Sequence, residues 1–184
     1  MNTLIIGLII FIGIHSLPMS ASLRQILVTR LGENIYQGVF ALTAITGFII
    51  IILGKAYADF VPVWDPPVWT KHITLTLMPF ALILLPAANM PGNIKRYTRH
   101  PMLWGVTLWA FAHLCANGDL ASIILFASFG AYTVIAMLSA NLRGAAKQRQ
   151  KIPVVKDFMV IVAGLISYAI ILVAHPYLFG VPVV

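Results

Sequence analysis

Residues 35–54 read Ile-Tyr-Gln-Gly-Val-Phe-Ala-Leu-Thr-Ala-Ile-Thr-Gly-Phe-Ile-Ile-Ile-Ile-Leu-Gly, a run without Asp, Glu, Lys or Arg. It has the length, about 20 residues, that a helix needs to cross the hydrocarbon core of a bilayer. Working outward, comparable apolar runs fall at 3–22, 72–90, 101–117, 120–141 and 158–179. The breaks between them have causes. Residues 59–68 hold Pro62, Pro66 and Pro67 and cannot be helical throughout, and Trp64, with Trp69 beside it, suits the headgroup level. Asn117-Gly118-Asp119 is a tight-turn sequence that folds the fourth span back into the fifth. The segment 143–156 is basic and carries Pro153.

Composition agrees. The 184 residues are 60% hydrophobic and 9% charged, with a mean hydropathy of +0.95. A soluble domain carries about 25% charged and about 45–50% apolar residues, so that class is excluded. Disorder is excluded as well, because its signature is low hydrophobicity. Six spanning helices use roughly 120 residues and leave only short connections. The expected fold is therefore an all-α integral membrane bundle of six helices, a single domain over 1–184. The first apolar stretch has no basic residue before it and no small-residue cleavage site after it, so it reads as a retained helix. The lone cysteine, Cys115, cannot form an internal disulfide.

The net charge of +7 is a matter of distribution. Arg24 and Arg30 lie between spans one and two, and Lys95, Arg96 and Arg99 between spans three and four. Arg143, Lys147, Arg149, Lys151 and Lys156 follow span five, whereas the other side holds only Lys55 and Lys71. This asymmetry places the three basic loops in the cytoplasm and both termini outside. It accounts for the charge without nucleic acid, which is not an expected partner. The bilayer is the expected partner, with anionic lipid attracted to 143–156.

No Asp, Glu, Lys or Arg falls well inside a span, which argues against a proton- or ion-coupled carrier. The ionisable side chains at depth are histidines. His72 starts span three beside Lys71 and reads as interfacial. His15 lies in span one, His100 begins span four, His113 lies further along the same helix, and His175 is in span six. Neutral imidazole is the commonest metal ligand, and haem iron takes it axially. His100 and His113 are about 20 Å and about 220° apart on one helix and cannot share an iron. Depth pairs His15 with His100 and His113 with His175. Ligands on facing helices can nevertheless differ in depth by about 10 Å if the macrocycle tilts, so His15 with His113 is also allowed. Lys95, Arg96, Arg99 and Arg24 are charge-assisted donors for haem propionates, besides their role in topology. Gly7, Gly13, Gly38, Gly47, Gly105, Gly130 and Gly164 are expected at close helix contacts or against a flat macrocycle. Cys115 reads as a small buried hydrophobe.

The stretch Arg96-Tyr97-Thr98-Arg99-His100-Pro101-Met102-Leu103-Trp104-Gly105, continuing through Trp109 to Ala112-His113 and Asn117-Gly118, resembles the signature of the NnrU family. Gly13-Ile14-His15-Ser16 and Ala174-His175-Pro176 fit the same pattern, so the resemblance covers essentially the whole chain. It implies a bacterial inner-membrane protein associated with nitrite and nitric oxide reduction. The family is also similar to the plant 15-cis-zeta-carotene isomerase, a haem b enzyme. That resemblance implies haem b with His15 and His113 as iron ligands. His100 and His175 match further histidines of that enzyme, and Arg96 and Arg99 are the propionate candidates. A haem enzyme of redox or isomerase type, a haem carrier or nitric oxide sensor without turnover, and an accessory subunit of a respiratory complex all remain open, as does a homo-oligomer.

Arg99-His100-Pro101 with Gly105 is also similar to the membrane methyltransferases that bind S-adenosylmethionine at such a segment. Residues 142–156 contain no acidic residue, however, and the paired glutamates of that pattern are missing.

Overall fold

The computed structural model describes residues 1–180. Its helices are α1 (Asn2–Ser16), α2 (Ala21–Leu31), α3 (Glu33–Ala56), α4 (Thr70–Asn89), α5 (Ile94–Tyr97), α6 (Pro101–Ala116), α7 (Leu120–Leu142) and α8 (Val154–Phe179), with a 3₁₀ turn at Leu17–Met19. Local chemistry sets several boundaries. Pro18 has no N–H with which to continue the α1 ladder, and the Ser20 hydroxyl caps α2 by accepting from the Leu23 N–H at 3.4 Å. Gly32 stops α2 at φ 80°, and Gly180 stops α8 in the left-handed region. Pro101 opens α6 at a position where its missing N–H costs nothing.

Among the described residues, five stretches are long and apolar enough to cross a membrane: Asn2–Met19, α3, α4, α7 and α8. The helix α6 is apolar but has 16 residues, about 24 Å. It still carries the chain from one end of the bundle to the other. Its start lies beside Asn141 near the end of α7, and its finish leads into the turn that opens α7. The expected first span, 3–22, is shorter in the structure. The α-helix stops at Ser16, and the connection expected before span two contains the separate helix α2, set against α3.

The spans pack in the order α3–α1–α7–α6–α4–α8. Most large apolar side chains point outward, as they do where lipid rather than water surrounds a bundle. Contacts between helices rely on small residues. A Cβ on Gly54 would come within 2.4 Å of the Leu4 nitrogen, and one on Gly47 within 2.8 Å of the Phe11 nitrogen. Gly7, Gly105 and Gly164 are equally close to backbone of α3, α4 and α4, so close approach holds for them. Gly130 makes an ordinary contact with Ala110, while Gly13 and Gly38 meet nothing within 4 Å. The α6–α7 seam also carries a hydrogen bond between the Thr107 and Thr133 hydroxyls at 2.8 Å, with Thr133 fully buried.

Each end of the bundle is clasped. At the end that carries the basic loops, the Asn93 amide donates to Asp157 Oδ2 at 2.6 Å and to the Ile152 carbonyl at 2.7 Å. At the other end, Asp119 caps α7 by accepting from the Ser122 N–H at 2.9 Å, and Lys55 Nζ lies 3.0 Å from the same Asp119 oxygen. Burial raises the Asp119 pKa, but bonds from the Ser122 side chain and N–H and the Lys55 ammonium outweigh it and hold the carboxyl below its ordinary value. The 57–69 connection is tied to the same turn, with the Val63 N–H donating to the Gly118 carbonyl at 2.9 Å.

Candidate functional site

His15 and His113 are presented in the same way. His15 Nδ1 lies 2.7 Å from the carbonyl of Phe11, four residues earlier on α1. His113 Nδ1 lies 2.8 Å from the carbonyl of Trp109, four residues earlier on α6. A carbonyl oxygen only accepts, so in both rings Nδ1 carries the hydrogen and the lone pair of the neutral imidazole sits on Nε2. Among the described residues nothing bonds either Nε2. A histidine that ligates a metal commonly donates its other ring N–H to a carbonyl in this manner, which fixes the tautomer and the ring orientation. In each case the residue supplying the carbonyl is aromatic, and its ring also lies against the imidazole, at 4.2 Å for Phe11 and 5.4 Å for Trp109.

The helix between these two histidines is α7. Phe129 lies 5.5 Å from the Phe11 ring and 5.5 Å from the Trp109 ring, so an unbroken series of rings runs from His15 through Phe11, Phe129 and Trp109 to His113. Phe40 of α3 closes the other side of His15 at 5.2 Å. Along α7, Tyr132 lies at the level of His15, with its hydroxyl donating to the His15 carbonyl at 3.2 Å. Phe126 lies at the level of His113, with rings 4.7 Å apart. Six residues of helix separate these levels by about 9 Å.

His100 is further from His15. Its Nε2–H donates to Asn141 Oδ1 at 3.0 Å, nine residues beyond Tyr132 on α7, or about 14 Å. His15 is therefore nearer in depth to His113 than to His100, which differs from the layering expected from the sequence. The reason is that α1 ends at Ser16, so His15 stands well short of the end of α7. His175 on α8 lies within electrostatic reach of His113 and against the ring of Phe179. His113 thus lies against Phe126 of α7 and within electrostatic reach of His175 of α8.

The remaining candidates are spread out. The Arg99 guanidinium donates to Asn141 Oδ1 at 3.0 Å, next to His100. Arg96 is half-buried on α5, and none of the described residues bonds its guanidinium. His72 is exposed at the start of α4, and Cys115 is half-buried. Among the described residues, no group of three or more His, Cys, Asp or Glu side chains is placed to hold a metal ion.

Two further residues lie near His15, of which the sequence had marked only Arg24. Tyr36, one turn before Phe40 on α3, has its hydroxyl buried with no hydrogen-bond partner among the described residues. A buried hydroxyl left unpaired is costly, and such an atom commonly marks a place where another polar group belongs. The guanidinium of Arg24 lies 5.6 Å from the Tyr36 ring centroid and pairs with Glu33 at 3.0 Å. Nothing local in the sequence marks the Tyr36 hydroxyl, because its isolation comes from the packing of α1, α2 and α3.

The family model described as NnrU protein matches residues 3–183. No curated protein and no solved structure matches the chain.

Proposed function

The chain belongs to the NnrU family, and on that premise we propose that it is a haem-b-binding protein of the bacterial inner membrane with His15 and His113 as axial ligands. The observation that supports this reading is the shared geometry of the two imidazoles. Each has Nδ1–H held by a backbone carbonyl and Nε2 left to coordinate, on either side of an aromatic-lined stretch of α7. The depth offset of about 9 Å lies within the about 10 Å a tilted macrocycle tolerates. The unpartnered Tyr36 hydroxyl and Arg24 lie on the side of His15 towards the basic end, and would meet propionate carboxylates pointing that way. Arg96 and Arg99 add to the positive field at that end, which the charge asymmetry assigns to the cytoplasm.

Bound haem b would supply an iron able to change oxidation state and to bind a small gas. The chain would fix both imidazoles and exclude water with Phe11, Trp109, Phe126 and Phe129. In keeping with the resemblance, we place its process in nitrite and nitric oxide reduction, as a redox or isomerase-type haem enzyme. A haem carrier or gas sensor uses the same site without turnover.

The test is an optical spectrum of the purified protein, oxidised and reduced, with a pyridine haemochrome assay. The expected result is near-stoichiometric haem b, lost or sharply reduced in His15→Ala and in His113→Ala. Full haem in both variants would overturn the ligand assignment. Haem kept in His15→Ala but lost in His175→Ala would favour the His113–His175 arrangement, which the proximity of those two residues supports. A colourless protein made with ample haem would remove the haem reading and leave an accessory subunit.

A further inference from the structure

At the basic end of the bundle, outside the histidine site, α6 and α7 form a groove of about 500 Å³. Its two halves differ in chemistry. The rim holds Arg99, His100 and Lys147 together with Asn141. The wall running away from the rim is Trp104, Val134 and Leu138, of which Leu138 is 58% and Trp104 46% exposed. Among the described residues, no carboxylate lines the groove. Arg99 and His100 both donate to the same uncharged oxygen, Asn141 Oδ1, so that bond orients the guanidinium without neutralising it. The two carboxylates of helices at this end are engaged elsewhere, Glu33 with Arg24 and Gln37, and Asp157 with Asn93.

A positive rim above an outward-facing apolar wall is complementary to an amphipathic anion. A bare phosphate would use the rim and leave the wall without a purpose, while a neutral lipid would leave the cations unanswered. We propose that this groove is a binding site for one anionic phospholipid. Its phosphate is held by Arg99 and Lys147, with Asn141 setting the Arg99 guanidinium, and an acyl chain lies along Trp104, Val134 and Leu138. Arg99 suits the task because its planar fork matches phosphate oxygens in pairs, whereas Lys147 acts as a mobile point charge. The site goes beyond the general attraction of basic loops to anionic membranes, because it predicts a fixed stoichiometry and a dependence on two particular cations.

The groove contains its own reporter. Trp104 is a groove residue, whereas Trp64, Trp69 and Trp109 lie outside it. The full-length protein is reconstituted in phosphatidylcholine bilayers, and phosphatidylglycerol or phosphatidylcholine with brominated chains is titrated in while tryptophan fluorescence is followed. The expected result is saturable quenching by the brominated phosphatidylglycerol at lower mole fraction than by the brominated phosphatidylcholine, and loss of that component in Trp104→Phe. Each cation near an anionic surface is worth about fivefold in binding. Arg99→Gln with Lys147→Gln should therefore remove most of the preference for phosphatidylglycerol. A control double variant, Arg149→Gln with Lys151→Gln, lowers the loop charge equally outside the groove and should keep the preference. Equal quenching by the two lipids, or equal losses in the two double variants, would overturn the proposal. Displacement by inorganic phosphate at the concentration that fills the rim would assign the rim to free phosphate instead. The readout needs no haem, so it stands or falls separately from the histidine site.

Discussion

Asp119 offers the most direct test of how the non-basic end of the bundle is held. Its carboxylate does two things at once, capping α7 through the Ser122 N–H and pairing with Lys55 of α3. The two can be separated, because asparagine caps a helix about as well as aspartate but carries no charge. Loss of a cap costs about 1 kcal/mol. The ion pair joins a nearly buried carboxylate to an ammonium whose side chain is 35% exposed. Water therefore screens it, and about 1 kcal/mol is the ceiling to expect. Asp119→Asn should lose about 1 kcal/mol through the pair alone, and Asp119→Ala about 2 kcal/mol through both. In a Lys55→Met background the Asn variant should cost almost nothing more.

The folded pKa of Asp119 lies below its ordinary value. Its contribution is therefore complete above the unfolded pKa of about 3.9 and declines as pH falls through the lower folded value. Reversible unfolding in mild detergent, followed by circular dichroism at neutral pH and at successively lower pH, measures both effects. Equal losses in Asp119→Asn and Asp119→Ala would refute the capping role. A gap between wild type and Asp119→Asn that persists undiminished well below pH 4 would refute the charge argument.

Other outcomes follow from the packing and the topology. Gly47→Ala puts a methyl group 2.8 Å from the Phe11 nitrogen. It should push α1 from α3 at the residue that holds His15, lowering both the unfolding temperature and the haem content, whereas Gly38→Ala, which meets nothing, should lower neither and as a helix-interior Gly→Ala change should raise the unfolding temperature slightly. Asn93→Ala removes three side-chain hydrogen bonds, one donated to Asp157, one donated to the Ile152 carbonyl and one accepted from the Ile152 N–H. It should destabilise the protein by about 2 kcal/mol, read by the same unfolding assay; a loss below about 0.5 kcal/mol would show that the clasp is solvated. A reporter fused to the C-terminus should be active on the periplasmic side, and cytoplasmic activity would refute the six-crossing scheme.

How much of this could be read in the sequence depends on the range of the forces involved. The spans were legible because a bilayer imposes length and composition directly, as residues 35–54 show. The Asn117–Asp119 turn was legible because turn chemistry is local. The end of α1 was not: apolar residues continue past Ser16, and only the pairing of Pro18 with the Ser20 cap stops the helix. That is why the layering expected from the sequence sets His15 nearer to His100 than the structure does. The histidine tautomers are not legible, because the carbonyl that fixes Nδ1–H belongs to the backbone four residues earlier and any residue type supplies one. The Tyr36 hydroxyl and the α6–α7 groove depend on which helices meet, and the histidine candidates alone did not contain that information.

The position of Phe129 turns the haem proposal into a steric question. Its ring stands between Phe11 and Trp109, midway between the levels of the two histidines on α7. A macrocycle gripped by both His15 and His113 must occupy that level, so the Phe129 ring has to swing aside as it binds. Phe129→Ala removes the obstacle and should leave haem content intact or raise it. Phe129→Trp enlarges the obstacle, and overpacking of about 1–3 kcal/mol should weaken haem binding by about 5- to 150-fold. Pairing of His113 with His175 turns instead towards α8, which packs on α4, and does not call on the level of α7 that Phe129 occupies. Titration of haem into the purified apoprotein distinguishes the two, because equal affinities for wild type and Phe129→Trp would place the macrocycle away from α7 and remove His15 from the iron.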